Sequence, residues 1–172
     1  MLPTVGACYA YNAWGNRLES VKVTPGAEGT KLGIILEPLK SLIVIFGEAD
    51  GELHAPIYES GSEIQFSNWA RAICEGSKYP NFEAAKQVTL PDTLAQEQLT
   101  FSGFVRYMTK FSVDHTDGLC LVISDASEGV EVFVNGQSAG IQIAPPYRYD
   151  ISAIAMQGEN ELIIEVATTL ER

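Results

Sequence analysis

The run Val130-Glu131-Val132-Phe133-Val134-Asn135-Gly136-Gln137 decides the fold. Strand-forming residues lead into Asn-Gly, the pair preferred in a two-residue type I′ hairpin, where both central positions must accept positive φ. Upstream, Phe104, Arg106, Met108 and Lys110 alternate with Val105, Tyr107, Thr109 and Phe111, the period of an extended chain. Further short strands are predicted at 119–123, 140–143, 147–151 and 162–166. Asp117-Gly118, Pro145-Pro146 and Gln157-Gly158-Glu159-Asn160 separate them as turns. Many short strands with turn residues between them predict an all-β chain, a β-sandwich or jelly roll.

The first half is read less sharply. Residues 31–36 read as a buried strand and 41–46 as its successor, with a turn at 47–51. Residues 63–69 alternate like a half-buried strand. Residues 70–98 read as a long surface connection with one helical turn, and short helices are predicted near 83–87 and 154–156. A composition shift near residue 50 divides the chain. Residues 1–50 are a β-strand appendage with too few strands to fold alone, the end of a preceding domain; 51–172 are the sandwich.

The 172 residues are 46% hydrophobic and 19% charged, a globular composition. Eleven basic residues stand against 22 acidic ones, a net charge of -11. No basic patch forms, which argues against nucleic acid and against anionic membrane surfaces. Cys8, Cys74 and Cys120 are too few and too widely spaced for a disulfide framework or zinc motif, and read as reduced thiols. Without a targeting signal, the expectation is a cytoplasmic chain or a piece of something longer.

Catalytic constellations are scarce. Glu48, Asp50 and Glu52 would share one face if extended, as a sandwich glycosidase needs, but Gly47 and Gly51 bracket them and favour a solvated turn. His54 and His115 lack partners, and a Cys120–His115 pair is opposed by the apolar strand around Cys120. Asp114 and Asp117 could hold Ca²⁺, but no dense run of oxygen ligands supports it. The expectation is no catalytic residue, no metal and no cofactor. Sugar binding needs rings to stack on pyranose faces and planar polar groups for the hydroxyls. Among the aromatics outside core patterns, Trp14, Tyr11, Tyr147 and Tyr149, the candidates are Trp14 and Tyr147, with Arg148 and Asp150 beside the latter. Covering the sandwich edge is the plainer role for the same rings. Trp69, Tyr107, Phe111 and Phe133 are assigned to the core.

Phe101-Ser102-Gly103-Phe104-Val105-Arg106-Tyr107, ending at Phe111, resembles the strand that opens the sugar-binding domain of family 2-type bacterial glycoside hydrolases. The likeness continues through Val132-Phe133-Val134-Asn135-Gly136, Gly140 and Pro145-Pro146-Tyr147-Arg148-Tyr149-Asp150-Ile151. It closes with Gly158-Glu159-Asn160-Glu161-Leu162-Ile163-Ile164-Glu165-Val166 and Thr168-Thr169-Leu170. Upstream, residues 11–17 and 36–47 look like the segment that precedes such a domain. The resemblance implies a galactose-binding-like jelly roll at the C-terminal end of a longer enzyme. Such a module is non-catalytic, touches carbohydrate weakly or indirectly, and packs on a catalytic domain. A free-standing glycosidase using Glu48, Asp50 or Glu52, and a protein-interaction module with no sugar role, are the alternatives.

Overall fold

A computed structural model describes residues 7–13, 15–26, 29–36, 40–56, 63–124, 126 and 128–168. Contacts divide the chain into two units, Met1–Tyr58 and Glu59–Arg172. Residues just beyond 50 go with the first unit because His54 extends its backbone pairing. Its N–H donates to the Leu18 carbonyl at 2.9 Å, and its carbonyl accepts from Ser20 at 2.8 Å.

The first unit holds β1 (Cys8–Asn12), β2 (Arg17–Ser20), β3 (Lys22–Gly26), β4 (Gly29–Gly33) and β5 (Ile43–Phe46). Strands β2, β1 and β5 form an antiparallel sheet in that order, and β3 pairs with β4 as a hairpin. The turn from β1 to β2 places Asn16 at φ 46°, a left-handed conformation that Asn tolerates. Glu19 is buried behind it, accepting from Asn12 Nδ2 and Arg17 Nε, each at 2.8 Å. The buried strand expected at 31–36 is corrected. Strand β4 ends at Gly33, and Ile34, Ile35 and Leu36 are exposed.

The second unit holds β6 (Ser67–Glu75), β7 (Lys86–Val88), α1 (Leu94–Glu97), β8 (Gly103–Val113), β9 (Cys120–Ile123), β10 (Val130–Val134), β11 (Gln137–Gln142), β12 (Tyr147–Asp150) and β13 (Gly158–Thr168). Six strands form an antiparallel sheet in the order β11-β10-β13-β8-β6-β7, and β12 pairs with β9 in a second sheet. The expected hairpin stands as read: Asn135 and Gly136 both have positive φ, 52° and 78°. Alternation then sorts the faces. Val130, Val132 and Val134 from β10, Leu162 and Ile164 from β13, and Phe111 and Val113 from β8 form one buried cluster with Leu121, Tyr147 and Tyr149 of the second sheet. This is a two-layered all-β sandwich, each buried aliphatic side chain contributing about 1.5–3 kcal/mol. Gln142 ties the layers together, its amide donating to the Arg148 carbonyl and its Oε1 accepting from the Arg148 N–H at 3.3 Å.

Three local expectations are corrected. Residues 70–75 belong to β6 and are not a surface connection, because Ala70, Arg71, Ala72, Ile73 and Cys74 pair with β8. The helix expected at 83–87 is absent: 81–85 have no regular structure, and Lys86–Val88 is a strand held against β6. The helix expected near 154–156 is a single turn in which Ile154 and Ala155 donate back to the Ile151 carbonyl, and Met156 lies beyond it.

Candidate functional site

Of the residues singled out for sugar contact, Trp14 lies outside the described residues. Tyr147 is corrected to a core residue. Its side chain is 0% exposed, and its hydroxyl donates to the Glu128 carbonyl at 2.6 Å, leaving no ring face for a ligand. Tyr149 is buried in the same way, donating to the Val130 carbonyl at 2.7 Å. Strand alternation points both rings inward, with Arg148 and Asp150 on the other face of β12. Arg148 is half-buried, and exposed Asp150 accepts from the Ser152 N–H at 3.0 Å. Tyr147 therefore does not share a face with Arg148 and Asp150.

The candidate carboxylates lie in solvent. Glu48, Asp50 and Glu52 are exposed and follow β5 in a bend. His54 and His115 are exposed. Cys8 and Cys74 are buried, and Cys120 is partly so, with no disulfide among them. Among the described residues no cluster of His, Cys, Asp and Glu could hold a metal ion. No helix among them is long and apolar enough to cross a membrane. A second carboxylate pair, Glu131 and Glu165, sits side by side on β10 and β13. Both are engaged: Glu165 Oε1 accepts from Arg106 Nε at 2.9 Å and Nη2 at 2.5 Å, and Glu131 accepts from Ser138 at 2.8 Å. The Arg106 guanidinium also lies 3.9 Å from the Phe82 ring centroid, so this cluster is an ion pair capped by an aromatic ring.

On the inner face near the β7 edge, Arg71 forms the most buried charged network. Its side chain is fully enclosed, with Nη1 2.5 Å from Asp92 Oδ1 and Nη2 2.7 Å from Glu97 Oε2. Tyr107 donates to the other Asp92 oxygen at 2.8 Å. Burial pushes the Asp92 carboxyl up, but hydrogen bonds from Arg71, Tyr107 and the Thr93 N–H outweigh it and hold it below its ordinary value. The Thr93 hydroxyl, Arg71 and Lys86 hold Glu97 down at about 2. Burial, with Asp92 as acceptor, pushes the Tyr107 hydroxyl well above its ordinary range. The network pins α1 and the segment leading into it to the sheet.

That segment forms one wall of an open groove. Phe66, Ser67, Asn68 and Trp69 line one side, and Gln87, Val88, Thr89 and Leu90 the other. The groove lies at a bulge in β6. Ser67 pairs with Lys110, yet Ala70 pairs with Met108, so Asn68 and Trp69 oppose a single residue, Thr109. Asn68 takes φ 59° there. The Thr109 hydroxyl locks the bulge by donating to the Ser67 carbonyl at 2.7 Å. Phe66 and Trp69 are half-buried with centroids 5.7 Å apart, and Phe66 packs edge-on against the core ring of Phe111 at 5.8 Å. Two rings held by the core, with the Asn68 amide next to them in the bulge, suit a ligand with one apolar face and polar groups at its edge.

Sequence reasoning placed Trp69 in the core and passed over Asn68 and Gln87. The signal was present. Apolar residues fall at Ile64 and Phe66, then at Trp69 where 68 is due, a one-residue phase slip that marks a bulge.

This fold recurs inside solved glycoside hydrolases. A rhamnosidase from Novosphingobium sp. PP1Y superposes with a TM-score of 0.74 at 20% identity, covering 97% of this chain and 17% of that one. A β-glucuronidase from Ruminococcus gnavus, in complex with D-glucaro 1,5-lactone, matches with a TM-score of 0.53 at 16% identity, over 67% of this chain and 24% of that one. A Faecalibacterium prausnitzii β-glucuronidase gives 0.51 at 16% identity, over 64% of this chain and 22% of that one. The chain thus spans about a sixth to a quarter of these enzymes. No family model matches it, and no curated protein does.

Proposed function

We propose that this chain is a non-catalytic, carbohydrate-associated module of a glycoside hydrolase, with its sandwich a galactose-binding-like jelly roll. Its work is weak sugar recognition, or architectural support of a catalytic domain carried elsewhere. The observation that carries this reading is the rhamnosidase match, where nearly the whole chain corresponds to a 17% share of a much larger enzyme. The ordered motifs between Phe101 and Thr168 point the same way.

The first unit favours the architectural part. Cys8 and Ala10 are its buried apolar residues among those described, whereas Ile34, Ile35, Leu36, Ile43, Phe46 and Leu53 are exposed. So small a sheet with so much apolar surface suits a segment that packs on a larger body, here the parent enzyme's catalytic domain. The free-standing glycosidase is disfavoured by the solvated positions of Glu48, Asp50 and Glu52, outside any strand.

The test is turnover. Purified chain incubated with p-nitrophenyl rhamnosides, galactosides and glucuronides is expected to release no p-nitrophenol above the buffer rate. Release that is lost on Glu48→Gln would overturn the module reading in favour of a small glycosidase.

A further inference from the structure

We propose that the groove at the β6 bulge is a binding site for a neutral pyranoside. The proposal rests on the reading of the chain as a carbohydrate-associated module, and adds the site and the charge class of its ligand.

Three features of the groove converge. Its aromatic floor is preorganised: the Phe66 and Trp69 rings are tilted 46° to each other, and both pack inward against the core cluster. A ring fixed by the core loses little rotamer freedom on stacking with a ligand. Asn68 and Thr89 line the same groove and are exposed, while Ser67, paired with Lys110, and Gln87, paired with Ala70, line it from the other face of the sheet. Each amide offers a donor and an acceptor, and each hydroxyl can do both, the pattern that vicinal sugar hydroxyls require. The bulge places Asn68 out of phase with its strand, directly beside Trp69, and the hydroxyl lock from Thr109 holds it there.

Charge then selects the ligand. Among the described residues that line the groove none is ionisable, in a chain with 33 ionisable Asp, Glu, Lys and Arg residues and a net charge of -11. A uronate or phosphate would find no cation among those lining residues and would meet the negative field of the whole chain. An uncharged hexose or deoxyhexose meets no such penalty. The volume of about 540 Å³ is ample for one or two sugar rings. Because the groove is open, affinity is expected on the order of 0.1–10 mM.

The experiment titrates the whole chain with methyl α-L-rhamnopyranoside, methyl β-D-galactopyranoside and methyl β-D-glucuronide. It follows the Trp69 indole N–H resonance, assigned by its disappearance in Trp69→Phe. At least one neutral glycoside should shift that resonance, and the glucuronide should leave it in place. Thr89→Ala and Asn68→Gly, chosen because both side chains are exposed, should each weaken binding about 2- to 10-fold, the loss of one neutral hydrogen bond. Trp69→Ala should abolish it. Undiminished binding in both polar variants overturns the groove while leaving sugar recognition intact. Equal binding of the glucuronide overturns the assignment to neutral sugars. No shift with any glycoside overturns the site and leaves the module its architectural role, which the turnover assay tests separately.

Discussion

Asn135 Nδ2 donates to Asn160 Oδ1 at 2.8 Å, joining two turns that lie 25 residues apart in the chain. The contact is reciprocal in effect, since Asn135 Oδ1 accepts from the Glu161 N–H at 3.0 Å. Asn160 is buried and also accepts from the Met156 N–H at 2.7 Å, while its amide donates to the carbonyls of Met156 and Gly158. The β10–β11 hairpin and the return into β13 are therefore fastened by the two asparagines that stand out as turn signals in the sequence.

Replacing Asn160 with Ala strands several buried backbone groups at once. The expected cost is about 2–4 kcal/mol, seen as a lower urea midpoint with an unchanged slope. Asn135→Gly keeps the left-handed turn and should cost less. An Asn160→Ala midpoint equal to that of the parent would show that the turn does not depend on this hub.

The Arg71 network should behave as a buried ion cluster. Arg71→Met leaves Asp92 enclosed beside Tyr107 without its cation, and is expected to cost about 3–5 kcal/mol. Adding Asp92→Asn should recover part of that loss, so the two changes are non-additive in a double-mutant cycle measured by chemical denaturation. Strict additivity would mean that the contact carries no coupling.

Acid should destabilise the chain in a defined window. Glu97 ionises at about 2 in the folded chain against an ordinary 4.5, and Asp92 is held low as well. A depressed folded value means that the ionised form favours folding. Its contribution is therefore full above about pH 4.5 and is lost as the pH falls toward 2. Urea midpoints should be level from pH 7 to about 5 and then decline, with a shallower decline in Glu97→Gln. Identical profiles for parent and variant would remove Glu97 from the account.

Gly103 marks a close approach of backbone between β6 and β8. A Cβ there would meet the Cys74 carbonyl oxygen at 2.1 Å, and Glu75 Cα and Gly76 N at 2.9 Å. These are backbone atoms that cannot turn aside. Gly103→Ala should cost on the order of 2–4 kcal/mol, with hydrogen-exchange protection lost first at the Gly103 end of the β6–β8 pairing. Ser112→Ala, exposed on the same strand, should be near neutral.

Tyr149→Phe removes only the hydroxyl that meets the Val130 carbonyl. It should cost about 1 kcal/mol in the urea midpoint and leave glycoside titrations at the groove unchanged. A changed affinity would return this ring to the binding surface.

Much of the fold was legible because strands announce themselves locally. The alternation of 104–111, the valines of 130–134 and the Asn135-Gly136 turn specify extended segments and their reversals through residues a few positions apart. The sequence by itself determined that the chain is all-β and where most strands of its second half lie. Which face of each strand is covered depends on the opposing sheet, tens of residues away. Only the tertiary structure decided that Tyr147 and Tyr149 are interior, that Arg71 is enclosed within a segment read as a loop, and that Trp69 borders solvent beside a bulge. A two-residue period fixes which side chains share a face, but burial is a property of what packs against that face, and no local pattern contains it.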